Sequence, residues 1–94
     1  SNPITVLSKE ITDTQTTPRL TATIQNTSVA DFRDIQFTAV IFDTAGNAFA
    51  GSSTEVPLLN DGERMDIVFT WPDRFEYVAG RIDVLPVVSP SATK

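Results

Sequence analysis

The chain has 94 residues, enough for one domain, and 40% of them are hydrophobic, which is ordinary for a folded globular protein. Its formal charge of −5 and its seven scattered basic residues argue against binding to nucleic acid or to an anionic membrane surface. The absence of cysteine and histidine excludes disulfides, zinc–cysteine sites, a serine triad and the usual general base, and we expect no cofactor.

The residue usage is that of an all-β protein, because Thr, Val and Ile recur in short alternating runs with turn residues between them. We predict six strands, at 4–12, 19–26, 34–43, 47–59, 63–71 and 78–88. The second strand shows the cleanest alternation, with Leu20, Ala22 and Ile24 on one face. In the connection 27–33, Ser28 and Asp31 have the spacing of a capping box, which fits a single helical turn.

The third strand is the longest apolar run and becomes apolar on both faces near its end, which is typical of a central strand. After it, Asp43 and Gly46 occupy the first and fourth positions of a type I turn, and Gly46 can take a positive φ. Calcium could instead bind oxygens of Asp43 and Asn47, but the loop lacks the alternating acidic ligands of a dedicated site. We interpret the loop as a hairpin turn.

The fourth strand is predicted at an edge, with a bulge, because Gly51 and two serines weaken it. A second turn is predicted at Asn60, Asp61 and Gly62. In the fifth strand, Trp71 shares the parity of the apolar residues and is expected to be largely buried.

The last strand is also predicted at an edge, because Pro86 cannot donate to a ladder. Residues 1–2 look like a tag remnant, 3–88 form one domain, and 89–94 read as a linker or disordered tail. No apolar run approaches the length of a membrane span, so we expect no membrane insertion by this fragment.

Six short strands without a covering helix must bury their apolar faces against each other. We therefore predict an immunoglobulin-like antiparallel β-sandwich of about six or seven strands, with a small barrel as the alternative.

The segment 24–71 resembles the FxLYD-type domains of bacteria and archaea. In that pattern a strand ends in Asn, an alternating strand ends in aromatic-Asp before a Gly turn, and a Leu and a Gly precede a strand that closes with Phe. Phe42 stands where the pattern has a tyrosine; the matching positions are Asn26, Ile35 through Phe42-Asp43, Gly46, Leu59, Gly62 and Phe69. The resemblance implies an immunoglobulin-like sandwich in an exported or membrane-anchored prokaryotic protein, and it carries over no catalytic residue.

Polar groups that could carry chemistry have simpler interpretations. The carboxylates that are close in sequence (Asp31 and Asp34, Asp61 and Glu63, Asp73 and Glu76) fall in loops or turns, and we expect them to be solvated. A glycosidase would need two of them to face each other across a cleft. The Asn26-Thr27-Ser28 triplet matches a glycosylation sequon, and we expect it to end the second strand.

The aromatic residues provide the main alternative. Phe49, Phe75 and Tyr77, with Trp71, could line a sugar-stacking surface, although aromatic residues also supply much of the core of a small domain. We expect a non-enzymatic extracellular or surface-anchored module for spacing or protein–protein contact, monomeric in isolation. The alternatives are a carbohydrate-binding module and an accessory domain of a larger exported enzyme, so the expected partner is a protein or a glycan.

Replacing Gly46 with valine should destabilise the domain by about 1 kcal/mol or more, because a β-branched residue would be forced to positive φ. Thermal melting measures the loss, and a variant that melts like the parent would contradict the turn assignment. A saturable, calcium-dependent rise in melting temperature would favour the calcium alternative instead.

Overall fold

The computed structural model describes residues 3–87, which form six β-strands and no helix. The strands are β1 (Ile4–Thr12), β2 (Arg19–Asn26), β3 (Phe32–Phe42), β4 (Ala48–Leu59), β5 (Arg64–Thr70) and β6 (Arg81–Val87). The all-β prediction is therefore confirmed. Within this range no helix is long and apolar enough to cross a membrane. The predicted tag remnant and tail, together with Val88, lie outside the described residues.

The start of β3 differs from the prediction. Asp34 adopts a φ of 53°, which interrupts the alternation of the strand. Phe32 and Ile35, three residues apart, are consequently both buried, and the strand extends back to Phe32. The helical turn predicted at 27–33 is wrong, because the Ser28 hydroxyl bonds to the Asn26 side chain in a bend instead of capping a helix.

The start of β6 also differs. The strand begins at Arg81 rather than at residue 78, because 71–80 is one long connection that crosses from one sheet to the other. Trp71 belongs to this connection and not to β5. The other strand ends agree with the prediction to within one residue.

The strands form two three-stranded antiparallel sheets that pack face to face. Sheet A has the order β1-β2-β5 and sheet B has the order β4-β3-β6. As predicted, the third strand is central and the fourth and sixth lie at edges. The two orders correspond to strands A-B-E and C′-C-F of an immunoglobulin sandwich.

The core lies between the sheets and is filled by alternating residues of the two central strands. From β2 it takes Leu20, Ala22 and Ile24, and from β3 it takes Ile35, Phe37, Ala39 and Ile41, all completely buried. Ile67 and Phe69 of β5 lie in the same layer. The faces predicted from alternation in β2 and β3 are confirmed.

Asn26, the last residue of β2, has a completely buried side chain whose hydrogen-bonding capacity is fully used. Its Nδ2 donates to the carbonyl oxygens of Ala30, at 2.7 Å, and Leu59, at 3.1 Å. Its Oδ1 accepts from the backbone N–H of Ser28, at 2.9 Å, and from the Ser28 hydroxyl, at 2.8 Å. One side chain thus joins β2, the connection to β3, and the end of β4 in the opposite sheet.

One lateral side of the sandwich is bridged by Trp71, which follows β5 directly. Its indole N–H donates to the carbonyl oxygen of Gly51 in β4 over 3.1 Å. Nearby, the Ser52 hydroxyl donates to the carbonyl of Thr70 over 3.4 Å. These contacts join the edge strand of sheet B to the edge of sheet A.

The other lateral side is bridged by Lys9. A bulge at Leu7 shifts the register of β1, so that Lys9 pairs with Ala22 and shares its inward-facing side. From there the ammonium group donates to the carbonyl oxygen of Ile82 in the edge strand β6. An inward-pointing lysine beside a bulge, facing a strand that contains Pro86, protects an edge against pairing with another chain.

The sandwich has two distinct ends and measures 41 × 22 × 21 Å. The end that carries the connections 13–18, 43–47 and 71–80 is called the tip. The first described strand, β1, starts at the opposite end beside Asn26, and the last, β6, runs away from the tip as far as Val87, which pairs with Gln36 part-way along β3.

Replacing Asn26 with aspartate should destabilise the domain by about 3 kcal/mol or more at pH 7, because a buried carboxylate would face two carbonyl oxygens that need donors. Burial raises the pKa of such a carboxyl in the folded state above the unfolded value of about 3.9. The stability of the variant should therefore be greatest below that value and fall as the pH rises through the folded-state pKa.

Urea unfolding between pH 3 and pH 8 measures this effect. The exposed residue Asn47 provides the matched control, since Asn47→Asp introduces the same charge without burying it. Equal stability losses in the two variants would show that the buried carboxamide is not important.

Candidate functional site

Backbone hydrogen bonds hold the long connection of the tip in place. The connection 71–80 is bonded to the 13–18 connection and to the end of β3; its bonds are Trp71 N–H to Pro18 O (3.1 Å), Phe75 N–H to Thr14 O (3.0 Å) and Gly80 N–H to Phe42 O (2.7 Å). A loop held at its start, middle and end presents its side chains in one arrangement, which is the usual basis of a recognition surface.

The 43–47 connection is a hairpin turn. Gly46 has a φ of 89°, and its N–H donates to the Asp43 carbonyl over 3.1 Å. The Asp43 carboxylate accepts the backbone N–H groups of Ala45 and Asn47, each at 2.9 Å. The side chain of Asp43 therefore organises the turn by accepting hydrogen bonds from the backbone of the residues that follow, in the manner of an Asx turn.

The turn at Asn60, Asp61 and Gly62 lies at the opposite end of the sandwich. Gly62 has a φ of 75°, and its N–H donates to the carbonyl of Asn26 over 2.9 Å. The N–H of Asp61 donates to the Asp31 carboxylate over 2.7 Å. This turn is docked against the buried asparagine and stabilises that end of the fold.

The aromatic residues singled out in the sequence meet at the tip. The register of β3 and β4 shifts between Ile41 and Phe42, which leaves Phe49 without a partner as an extra residue in β4. Such a bulge redirects a side chain, and the Phe49 ring lies against those of Phe75 and Tyr77 from the long connection.

The four rings form a connected row of edge-to-face contacts. Ring centroids are 5.2 Å apart for Trp71 and Phe75, 5.3 Å for Phe75 and Phe49, and 5.4 Å for Phe49 and Tyr77, with interplanar angles of 73°, 90° and 64°. Trp71, Phe75 and Phe49 are half-buried against the core, whereas Tyr77 is 56% exposed. Trp71, which was expected to be largely buried, is thus only half-buried, because its ring lies at the border between the core and the tip.

An open groove of about 1020 Å³ runs between the β1–β2 turn and the long connection. Its lining is half apolar (Ile11, Phe75, Tyr77, Val78 and Ala79) and half polar or charged (Thr14, Gln15, Asp73, Arg74 and Glu76). Val78 is 75% exposed, so an apolar pair stands at the rim of the groove.

The carboxylates that are close in sequence do not form a facing pair across this groove. Asp73 and Glu76 are exposed in the long connection, with Arg74 between them. Among residues 3–87, no group of three or more carboxylates is placed to hold a metal ion. For binding, this surface offers an aromatic ring, an aliphatic side chain and charges of both signs.

Sequence analysis missed two residues on which the tip and its sides depend. Gly80 approaches the 43–47 turn so closely that a Cβ would lie 2.7 Å from the carbonyl oxygen of Asp43, and no turn motif marks this position. Lys9 was not singled out because the bulge at Leu7, which turns it inward, leaves no signal in the alternation. Both roles arise from tertiary contacts.

Comparison of the chain with protein-family models, curated proteins and solved structures finds no match.

Removing the Trp71 ring should cost about 2–3 kcal/mol, below the range for a fully buried aromatic residue, because the ring is half-buried. Trp71→Phe should cost about 1 kcal/mol, because it keeps most of the packing and loses the hydrogen bond to Gly51.

Urea unfolding of both variants, with Tyr77→Ala as the exposed aromatic control, measures these losses. A Trp71→Ala variant no less stable than Tyr77→Ala would contradict the role of the indole as a bridge between the sheets.

Proposed function

We propose that this domain is a non-enzymatic module of an exported or surface-anchored prokaryotic protein, and that it contacts other proteins through its tip. The proposed location rests on the resemblance of residues 24–71 to FxLYD-type domains. The proposed contact role rests on the geometry of the tip and on the path of the chain.

The observation that carries the contact role is the direction of the first and last strands. The chain enters the sandwich at Ile4, whose partner is Asn26, and leaves β6 at Val87 after running away from the tip. A domain whose first strand starts at the end opposite its tip, and whose last strand runs away from the tip, adds little distance between its neighbours. Its tip, in contrast, stands up to 41 Å from that end. This geometry supports contact more than spacing.

The ring geometry supports a protein contact over the carbohydrate-binding alternative. A sugar-stacking platform would need several exposed rings in one plane, whereas three of these four rings are half-buried and neighbouring rings meet at 64–90°. Tyr77 is left as a single exposed ring, and tyrosine is enriched among the residues that contribute most to protein interfaces.

The location can be tested on intact cells that make the whole protein. A cysteine at exposed Ala45 should react with a membrane-impermeant maleimide before lysis, because the tip would face the exterior. Ala39→Cys, in the core, is the control for unfolding and should remain unlabelled. Labelling of Ala45→Cys only after lysis would contradict export.

The contact role can be tested by placing the photoreactive residue p-benzoylphenylalanine at Tyr77 in the same cells. We expect a discrete protein adduct that is absent when the residue is placed at Gln36, which is exposed on the outer face of sheet B. An adduct within the same chain would favour the accessory-domain alternative, and a glycan adduct would favour the carbohydrate-binding alternative. No adduct at Tyr77 would contradict the contact role.

A further inference from the structure

The chemistry of a partner at the tip can be inferred from what the tip exposes. Tyr77 and Val78 are 56% and 75% exposed, although most apolar side chains nearby are half-buried or buried. They border a groove whose lining includes Ile11, Phe75 and Ala79. The same lining also contains Thr14 and Gln15 and the charged residues Asp73, Arg74 and Glu76. Two exposed apolar side chains in a groove that is otherwise largely polar fit one apolar side chain of a partner that is flanked by charged ones.

The surface is fixed before any partner arrives. The N–H of Phe75 donates to the carbonyl of Thr14, and Gly80 lies in close contact with Asp43 of the 43–47 turn. The Tyr77 ring is held by its edge-to-face contact with Phe49. A fixed surface loses little conformational entropy on binding, so a short partner segment can be recognised.

The charge of the tip indicates the sign of the charge expected on a partner. The connections 13–18, 43–47 and 71–80 together contain four carboxylates, Asp13, Asp43, Asp73 and Glu76, and one guanidinium, Arg74. Two more arginines flank these connections. Arg19 is exposed directly after Pro18, and Arg81 lies 3.9 Å from the centroid of the Phe42 ring and 3.4 Å from the Asp83 carboxylate, so the carboxylates still outnumber the arginines that are free at the tip. The acidic excess at the tip agrees with the formal charge of −5 and favours a positively charged partner.

We propose that the groove beside Tyr77 and Val78 binds a short basic segment of a partner protein, which inserts one apolar side chain and places Lys or Arg against Asp73 and Glu76. This inference rests on the proposed contact function and adds the chemistry of the partner. Tyr77 supplies the apolar anchor, and the two carboxylates select the charge.

A phage-displayed random heptapeptide library, panned against the folded domain, tests the proposal. The enriched sequences should share an apolar residue flanked by Lys or Arg. For the best synthetic peptide, Tyr77→Ala should raise Kd at least tenfold. The double variant Asp73→Asn and Glu76→Gln should raise Kd and flatten its dependence on salt. Leu85→Ala, an exposed apolar change on the outer face of sheet B, is the matched control and should leave Kd unchanged.

Several outcomes would overturn the proposal. Enrichment of acidic or uncharged sequences, or of none, would show that the partner chemistry is wrong. Basic peptides whose affinity falls with Leu85→Ala but not with Tyr77→Ala would show that the site is wrong. Saturable binding of cellohexaose or chitohexaose that is lost with Tyr77→Ala would assign the groove to a glycan. If the library enriches acidic or uncharged sequences, or none, but a protein adduct forms at Tyr77 in cells, the proposed contact function still holds and only the proposed partner chemistry fails. The two proposals can therefore be tested separately.

Discussion

The buried carboxamide of Asn26 is the interaction on which the rest of this sandwich depends. Two three-stranded sheets have little apolar area with which to fix their relative position, and a buried amide that lacked any partner would cost about 1–3 kcal/mol. Asn26 meets this constraint because its side chain extends from sheet A and bonds to the end of β4 in sheet B and to the connection between the sheets. Its backbone also bonds to the turn at 60–63. Four segments must therefore be in place together before the polar group is satisfied, which favours one arrangement of the sheets.

The hydrogen bonds of Trp71 and Lys9 at the two sides of the sandwich also fix the position of one sheet relative to the other. Trp71 and Lys9 each extend from the sheet A side to a backbone carbonyl in an edge strand of sheet B. Each bridge occupies a carbonyl on a strand that would otherwise be open to pairing with another chain. Each bridge thus makes the edge strand that it reaches less suited to strand addition.

The sequence was sufficient to predict what depends on local pattern. Alternation identified the buried faces of β2 and β3, and turn chemistry located the connections at Gly46 and Gly62. The prediction failed where a single residue interrupts the two-residue alternation of a strand. Because Asp34 lies in the left-handed region, the sequence pattern did not indicate that β3 begins at Phe32. Because of the bulge at Leu7, it did not indicate that Lys9 faces inward.

The residues of the candidate site could be predicted from the sequence, but the way in which they are arranged could not. Aromatic composition brought Phe49, Phe75 and Tyr77 to attention, but the bulge that turns Phe49 toward the others comes from strand register. The close approach that requires glycine at position 80 likewise exists only once the long connection lies across the 43–47 turn. Asn26 resembled a simple strand end, because nothing local to it indicates that Leu59 will lie within hydrogen-bonding distance.

The same asparagine determines when the chain could be glycosylated. The nitrogen to which an oligosaccharide would be attached in the Asn26-Thr27-Ser28 sequon is the Nδ2 that bonds two carbonyl oxygens in the closed sandwich, where no enzyme can reach it. Attachment would have to precede folding, and a glycan on that nitrogen would then keep the two sheets from closing. Folding and glycosylation thus require the same nitrogen atom, so the intact mass of the folded chain should show no sugar at this position.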